Sequence, residues 1–230
     1  MGILTAAFKL AAGSRPKPAG LIGYVLNRQG ALQPPERQGG MFDYVLAADG
    51  LYAHAEREEM NVHFRIAPAE VRGLAASEQF FDFKPQRVPW ELVSEMWMEA
   101  HQYGSDGLET LFHLTWSPVY PWNDGWELVT PEQTRSATRC RPVDDRPGSS
   151  HARALVEIHS HHSMPARFSR TDDEDETGFR LYGVIGRLSD APEIRLRVGV
   201  YGYHWEIPAS WALDLPEGLR DCNEIEEEYG

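Results

Sequence analysis

Short apolar runs, several of them alternating with polar residues, follow one another along the first 85 positions of the chain. The runs span residues 21–26, 42–47, 51–55 and 61–66. Alternation of this kind is typical of strands that bury one face, and the pair Asp49 and Gly50 predicts a hairpin turn. We therefore expect residues 1–87 to form a small antiparallel β-rich region. Its side chains suggest no chemistry, and we expect His54 and His63 to be surface or packing residues.

The pattern becomes mixed after this region. Apolar residues recur at helical spacing after Pro89, which suits the first turn of a helix, and Gly104 can end that helix. Further apolar runs typical of strands span residues 106–116, 126–129, 154–158, 179–186, 194–200 and 203–207. This order predicts an α+β fold of α/β/α-like type, in which helices flank a mixed sheet within residues 88–210.

Polar segments separate or follow these runs. We expect residues 77–88 to be a connector, residues 131–141 to form a helical turn, and residues 211–230 to form an acidic tail. Thr171 and Glu174 have the spacing of a capping box at the start of an acidic run. The acidic run therefore predicts a short helix.

The stretch from Glu157 to Asp172 is the most informative part of the chain. His159 and His161 follow a predicted buried strand, and residues two apart on a strand point to the same face. Asp172 follows a loop and can supply a third ligand. Two nitrogens and one carboxylate leave a fourth tetrahedral position free, which is the ligand count of a catalytic zinc site. The alternative is a solvated, histidine-rich turn without a metal.

The spacing of these residues resembles a known motif: His-x-His, seven residues, Ser, two residues, Asp. It is similar to the motif of JAMM metallopeptidases, also called JAB, MPN-plus or Mov34-type domains, and it matches at His159, His161, Ser169 and Asp172. The resemblance implies a cytidine-deaminase-like mixed sheet and a bound Zn²⁺. It also implies hydrolysis of an amide or isopeptide bond in a protein or peptide substrate.

The same resemblance implies roles for two further residues. The motif includes an upstream glutamate that acts as general base, and Glu109, near the start of a predicted strand, is the candidate. Ser169 would donate its hydroxyl to the attacking water or to the oxyanion. The alternatives are an exposed strand-end carboxylate for Glu109 and a helix cap for Ser169. Glu157, His113, His151 and His162 are weaker candidates near the metal, with Glu157 expected to orient an imidazole.

Longer segments resemble one bacterial family more closely, PRTRC system protein A. The segments are residues 157–161, 168–176 and 197–202. This resemblance implies a plasmid or mobile-element setting, a ThiF-like partner, and a ubiquitin-like or sulfur-carrier-like substrate. Two functions stay open at this point. One is a zinc metallopeptidase, and the other is a non-catalytic partner-binding module in which the metal is structural.

Composition narrows the class of protein. The chain has 230 residues, 42% of them hydrophobic, which is enough for a core in one or two domains. Its net charge is −13 without a basic cluster, so we expect no nucleic-acid binding. No apolar run approaches a membrane span and the first residues do not resemble a signal peptide, so we expect no membrane association. Two cysteines, Cys140 and Cys222, exclude a cysteine-based zinc site and fit a cytoplasmic location.

Overall fold

Two β-sheets and three α-helices account for most of the regular structure. The computed structural model describes residues 20–28 and 34–223. The strands are β1 (Ile22–Leu26), β2 (Phe42–Ala47), β3 (Gly50–Glu56), β4 (Met60–Pro68), β5 (Phe80–Phe83), β6 (Leu111–Trp116), β7 (Trp126–Val129), β8 (Gln133–Arg135), β9 (Cys140–Pro142), β10 (Val156–His161), β11 (Phe179–Gly186), β12 (Glu193–Val200), β13 (Tyr203–Ile207) and β14 (Arg220–Asp221). The α-helices are α1 (Trp90–Gly104), α2 (Ser150–Arg153) and α3 (Arg170–Asp175). None of the helices in these ranges has the length and apolar character needed to cross a membrane.

The first sheet has the strand order β1-β2-β3-β4-β5. All its pairs are antiparallel except β1 with β2, so within the described residues the predicted N-terminal antiparallel region is confirmed with one parallel exception. Residues 1–19 and 29–33 of that region lie outside the described residues. Residues 77–88 were expected to be a connector, and this prediction is wrong because they contain β5. Phe81 and Phe83 of β5 stack on each other with ring centroids 5.6 Å apart. A four-residue edge strand carries too little alternation for the pattern to reveal it.

The second sheet has the order β13-β12-β11-β10-β6-β7, and β14 pairs with one end of β12. β10 and β11 are parallel, whereas the other neighbours along this path are antiparallel. The sheet is therefore mixed, and the predicted α+β fold is confirmed. Helix α1 covers it through four buried residues, Leu92, Val93, Met96 and Ala100. Val93, Met96 and Ala100 belong to the apolar stripe that the helical spacing predicts, and Trp97, its fourth residue, is half-buried.

The two sheets share one apolar core. Phe64 of β4 stacks on Trp205 of β13 at a centroid distance of 5.8 Å. The hydroxyl groups of Tyr44 in β2 and Tyr203 in β13 lie 2.7 Å apart. Side chains from both sides of residue 87 fill this core. The division of the chain at that residue stays a prediction.

The first part of the predicted tail is packed against the second sheet. Leu213 and Leu219 are buried, and β14 extends the pairing of β12. An isolated bridge also joins Leu213 to Val88. The acidic residues 224–230 lie outside the described residues.

The prediction of a helical turn at residues 131–141 is wrong. This segment contains β8 and β9, which pair as an antiparallel hairpin. The side-chain amide of Gln133 takes the place of backbone pairing with β6. Its nitrogen donates to the Leu111 carbonyl at 2.9 Å, and its oxygen accepts from the Leu111 backbone N–H at 2.7 Å. Strands of three polar residues show no hydrophobic period, so the sequence pattern carried no signal for them.

Candidate metal centre

Two histidines lie on one face at the end of β10. Residues two apart on a strand point to the same side, and the Nε2 atoms of His159 and His161 lie 3.2 Å apart. Both residues are buried, with 8% of each exposed. The strand pairs with β6 on one side and β11 on the other, so its neighbours hold the backbone of the pair in place.

A backbone carbonyl determines which nitrogen of His161 carries the proton. The Nδ1 of His161 donates to the Pro165 oxygen at 3.1 Å. A carbonyl can only accept, so Nε2 keeps its lone pair free. Burial lowers the pKa of His161, and it lowers the pKa of His159 to about 4 although the Asp172 carboxylate opposes the shift. Both imidazoles are therefore neutral near pH 7, which is the form that ligates a metal.

The loop after β10 turns back sharply across the sheet. The Met164 amide donates to the His161 carbonyl at 2.8 Å, and the loop then passes over Gly186 of β11, the residue that pairs with His161. A Cβ at Gly186 would collide with the backbone of Met164 and Ala166. Position 186 therefore needs glycine for the loop to return over the sheet.

Asp172 is held at the start of helix α3 by a capping box. The Ser169 amide donates to Asp172 Oδ2 at 2.6 Å, and the Asp172 amide donates to Ser169 Oγ at 3.3 Å. The predicted box at Thr171 and Glu174 is therefore wrong by two positions, because the extended residue before the helix is Ser169. The other carboxylate oxygen of Asp172, Oδ1, is left 3.5 Å from His159 Nε2.

The three side chains can hold a zinc ion. Ligand atoms of His159, His161 and Asp172 all lie within 4.8 Å of one another. Two neutral nitrogens and one carboxylate oxygen fit zinc and leave its fourth position open. His159 and Asp172 border a cavity of about 260 Å³.

Glu109 lies beside these ligands, two residues before β6 begins. Its Oε1 is 3.8 Å from His161 Nε2, and only 3% of the residue is exposed. Ser160, between the two histidines, fixes this approach because its Oγ accepts from the Thr110 amide at 2.9 Å. Burial, and after it the neighbouring Asp172 carboxylate, raises the pKa of Glu109 to about 7. Glu109 is thus a buried carboxyl rather than an exposed one.

A comparison with protein-family models matches residues 47–198 to the prokaryotic homologs of the JAB domain. The chain belongs to this family. The match covers well over half of the chain, and it contains Glu109 and every residue of the metal centre. The JAB resemblance of the motif is therefore confirmed. A search of curated proteins finds no match.

Ser169 caps helix α3 in this JAB domain, as one of the two expectations for it stated. Its Oγ accepts from the Asp172 amide, and the residue is exposed. A hydroxyl that accepts at its oxygen still has its proton to donate. The capping role and the predicted hydrogen bond to the reacting oxygen are therefore compatible.

The β8–β9 hairpin forms one wall of the cavity in the JAB domain. Arg139 and Arg141 of this hairpin both bind the Asp175 carboxylate at the end of α3, the first of them at 2.9 Å. The Glu109 amide donates to the Ser136 carbonyl of the same hairpin at 2.9 Å. The hairpin therefore connects the segment that carries Glu109 to the helix that carries Asp172.

Arg197 is a buried residue of the site that the sequence pattern did not single out. Its Nε donates to Glu176 Oε2 at 2.8 Å and its NH1 to Asp173 Oδ1 at 2.6 Å. The guanidinium also lies 3.9 Å from the centroid of the Phe168 ring. These contacts hold α3, and with it Asp172, against β12. Only 4% of Arg197 is exposed, although it alternates with apolar residues along β12.

The weaker candidates have contacts with residues other than the three metal ligands. Glu157 hydrogen-bonds the imidazole of His151 at 3.0 Å, and His113 Nε2 lies 3.4 Å from the same carboxylate oxygen. The sequence predicts that Glu157 orients an imidazole beside the metal, and in the structure its histidine partners are these two rather than His159 or His161. His162 points away from the pair, with its Nε2 3.2 Å from the Ala137 carbonyl of the hairpin.

Proposed function

We propose that this JAB domain is a zinc-dependent metallopeptidase that hydrolyses an amide or isopeptide bond. One observation carries the proposal. A buried carboxyl, Glu109, lies beside three converging ligands, His159, His161 and Asp172, at the edge of an open cavity. A purely structural zinc site has four protein ligands and needs no acid beside it. An open position next to an acid is the arrangement that hydrolysis needs.

The roles of the residues follow from their chemistry. His159, His161 and Asp172 would hold the ion. Zinc bound there would polarise the scissile carbonyl and lower the pKa of a bound water towards about 7. Glu109, with its pKa near 7, is suited to take the proton of the attacking water and return it to the leaving amine. A bound cation would lower that pKa, which favours the base form before attack.

Ser169 would act on the oxygen that becomes negative. Its Oγ is fixed by the Asp172 amide, so its proton is free for an acceptor on the substrate. Stabilising charge that develops in the transition state lowers the barrier, whereas equal binding of substrate and transition state does not. Ser169 thus complements Glu109, because one donates a hydrogen bond and the other transfers a proton.

The substrate and partners are part of the same proposal. The PRTRC resemblance supports a small ubiquitin-like or sulfur-carrier-like protein as the substrate and a ThiF-like protein of the same plasmid cassette as the partner. The cavity is lined by both acids and arginines, so a polar peptide segment suits it better than an apolar one. The protein would act in the cytoplasm.

The test measures metal-dependent hydrolysis with the full-length chain. The zinc-loaded protein is incubated with a mixed peptide library and with ubiquitin carrying a C-terminal coumarin amide, and new termini are identified by mass spectrometry. We expect cleavage that a chelator abolishes and added zinc restores. If zinc binds but neither probe is cleaved, the module is non-catalytic and its metal is structural.

A further inference from the structure

A second group of potential metal ligands lies in the same cavity. Ligand atoms of His113, His151 and Glu157 are all within 4.8 Å of one another. They come from three elements, because His113 lies in β6, His151 in α2 and Glu157 in β10. His151 and Glu157 border the cavity together with His159 and Asp172.

The two histidine side chains converge on one carboxylate oxygen of Glu157. Glu157 Oε2 lies 3.0 Å from His151 Nδ1 and 3.4 Å from His113 Nε2. His113 and Glu157 are direct partners in the antiparallel pairing of β6 with β10. The Ser150 hydroxyl lies 2.9 Å from His113 Nδ1 on the far side of that ring. A polar group on the remote nitrogen is how ligating histidines are commonly oriented.

His113 Nε2 is the atom that needs explanation. The side chain is fully buried, and within the described part of the chain this nitrogen has no partner of hydrogen-bond geometry, although Glu157 Oε2 lies 3.4 Å away. Buried polar atoms are rarely left without a partner, because the lost hydration is then not replaced. Ser150 occupies the other nitrogen, so Nε2 is the one aimed at Glu157. A cation between them would satisfy both groups.

We propose that His113, His151 and Glu157 bind a second divalent transition-metal ion of the zinc class. Two imidazoles and one glutamate are a ligand set of zinc sites with an open position, and imidazole nitrogens select such ions over magnesium or calcium. More acids than arginines line the cavity, which also favours cations there.

Arg180 opposes this binding and makes the proposal testable. Its NH1 lies 3.2 Å from Glu157 Oε2 and donates to the His151 carbonyl at 2.7 Å. The guanidinium therefore competes for one oxygen of Glu157. Without a metal, the group is a part-buried ion pair of Arg180 with Glu157, to which His151 Nδ1 adds a hydrogen bond. The metal-bound group and the ion pair can be told apart, because the protein holds one more metal ion in the first case.

The two sites would act separately. Glu157 and His159 are two residues apart on a strand, which corresponds to about 6.6 Å along β10. Metal ions that share a bridging water are about 3.5–4 Å apart. The second ion would thus bind its own water or a substrate oxygen.

The experiment counts zinc in the full-length protein after chelation, reloading and desalting. We expect two equivalents per chain in the parent and one in each of His151→Ala, Glu157→Gln and His161→Ala. The double variant His151→Ala/His161→Ala should hold none. His101→Ala, an exposed histidine of α1, is the matched control and should keep two.

The single variants also report on folding. His151 is only partly buried, so its truncation is tolerated better than that of His113. One retained equivalent in His151→Ala shows that the first site is still folded. If the parent holds one equivalent that His161→Ala removes and His151→Ala does not, the second group is an ion pair and the inference is overturned. That outcome leaves the proposed metallopeptidase function intact.

Discussion

Two pairs of buried histidines in the described residues differ in their surroundings. His159 and His161 lie together with a third potential metal ligand, whereas His54 and His63 do not. His54 and His63 face each other across β3 and β4, with ring centroids 5.5 Å apart. His63 stacks on Tyr52 at 4.6 Å, and its Nε2 lies 2.8 Å from the Ser77 hydroxyl. These rings are packing residues, as expected.

The pair at the end of β10 is equally buried but differently surrounded. The Nε2 atoms of His159 and His161 point at each other and at Asp172 Oδ1. In the first sheet, neither histidine joins such a group within the described residues. Burial makes both pairs neutral, so burial alone does not predict a metal site. What distinguishes the second pair is an anionic ligand and access to a cavity.

The largest expected difference between the pairs is in metal binding. His159→Ala should remove the zinc of the first site, because a site left with two protein ligands does not retain the ion through desalting. His54→Ala should leave the zinc content unchanged while it lowers thermal stability. Metal analysis of both variants against the parent tests this. Equal zinc in His159→Ala and the parent would refute the ligand assignment.

The next largest effect is on hydrolysis, and it distinguishes the general base from the metal ligands. Glu109→Gln should lower amide hydrolysis by roughly a hundredfold or more, because the amide keeps the size of the side chain but cannot transfer a proton. The zinc content should not change. Glu127→Gln, in β7, is the control and should keep full activity. Full activity in Glu109→Gln would place the base elsewhere.

Removing Arg197, which holds the helix of the ligand Asp172, should reduce zinc binding less than removing a ligand. Arg197→Met leaves the buried Glu176 unpaired, which should lower the free energy of unfolding by about 3 kcal/mol and weaken zinc binding through Asp172. Arg170→Met is the matched control, because Arg170 pairs with Glu174 on the exposed side of the same helix and such pairs contribute about 0.5 kcal/mol or less. Urea unfolding and zinc titration give the two readouts. Equal losses in both variants would contradict the role of Arg197.

The smallest expected effect concerns the histidine pair of the first sheet. Burial lowers the pKa of His63 to about 3, whereas the unfolded chain takes up the proton near pH 6.5. The stability that this group contributes is therefore complete above about pH 6.5 and is lost as the pH falls towards 3. The gap in unfolding free energy between the parent and His63→Phe should change by about 1–2 kcal/mol between pH 7.5 and about pH 5. A gap that does not change with pH would contradict the buried, neutral state of His63.

The parts of this site that could be predicted from the sequence are local ones. A strand that ends in His159 and His161 is visible because its period and its ligands lie within a few residues of one another. The following acidic helix was also predicted, although its cap lies two residues earlier. That Glu109 lies close to the ligands was predicted only from the family resemblance. No hydrophobic or polar pattern in the chain indicates it.

The parts that could not be predicted depend on contacts between distant segments. Glu157 had the correct parity to face a histidine, but its partners in β6 and α2 are set by sheet pairing and loop geometry. Arg197 alternates with apolar residues along β12, and its partners, the buried Glu176 and the exposed Asp173, come from an acidic run without an apolar period. In both cases a charged residue inside an otherwise buried strand was the signal available.

The capping box of α3 limits which residues evolution can place at position 172. One carboxylate oxygen of Asp172 closes the helix start and the other faces His159. Asparagine could keep the cap but would bring a weaker, uncharged ligand, and glutamate would keep the charge but lengthen the reach by a methylene group. Because Asp172 must both cap the helix and face the metal site, only a side chain that does both can replace it. Homologues that have lost the metal should therefore show drift at the histidines before they show it at this aspartate.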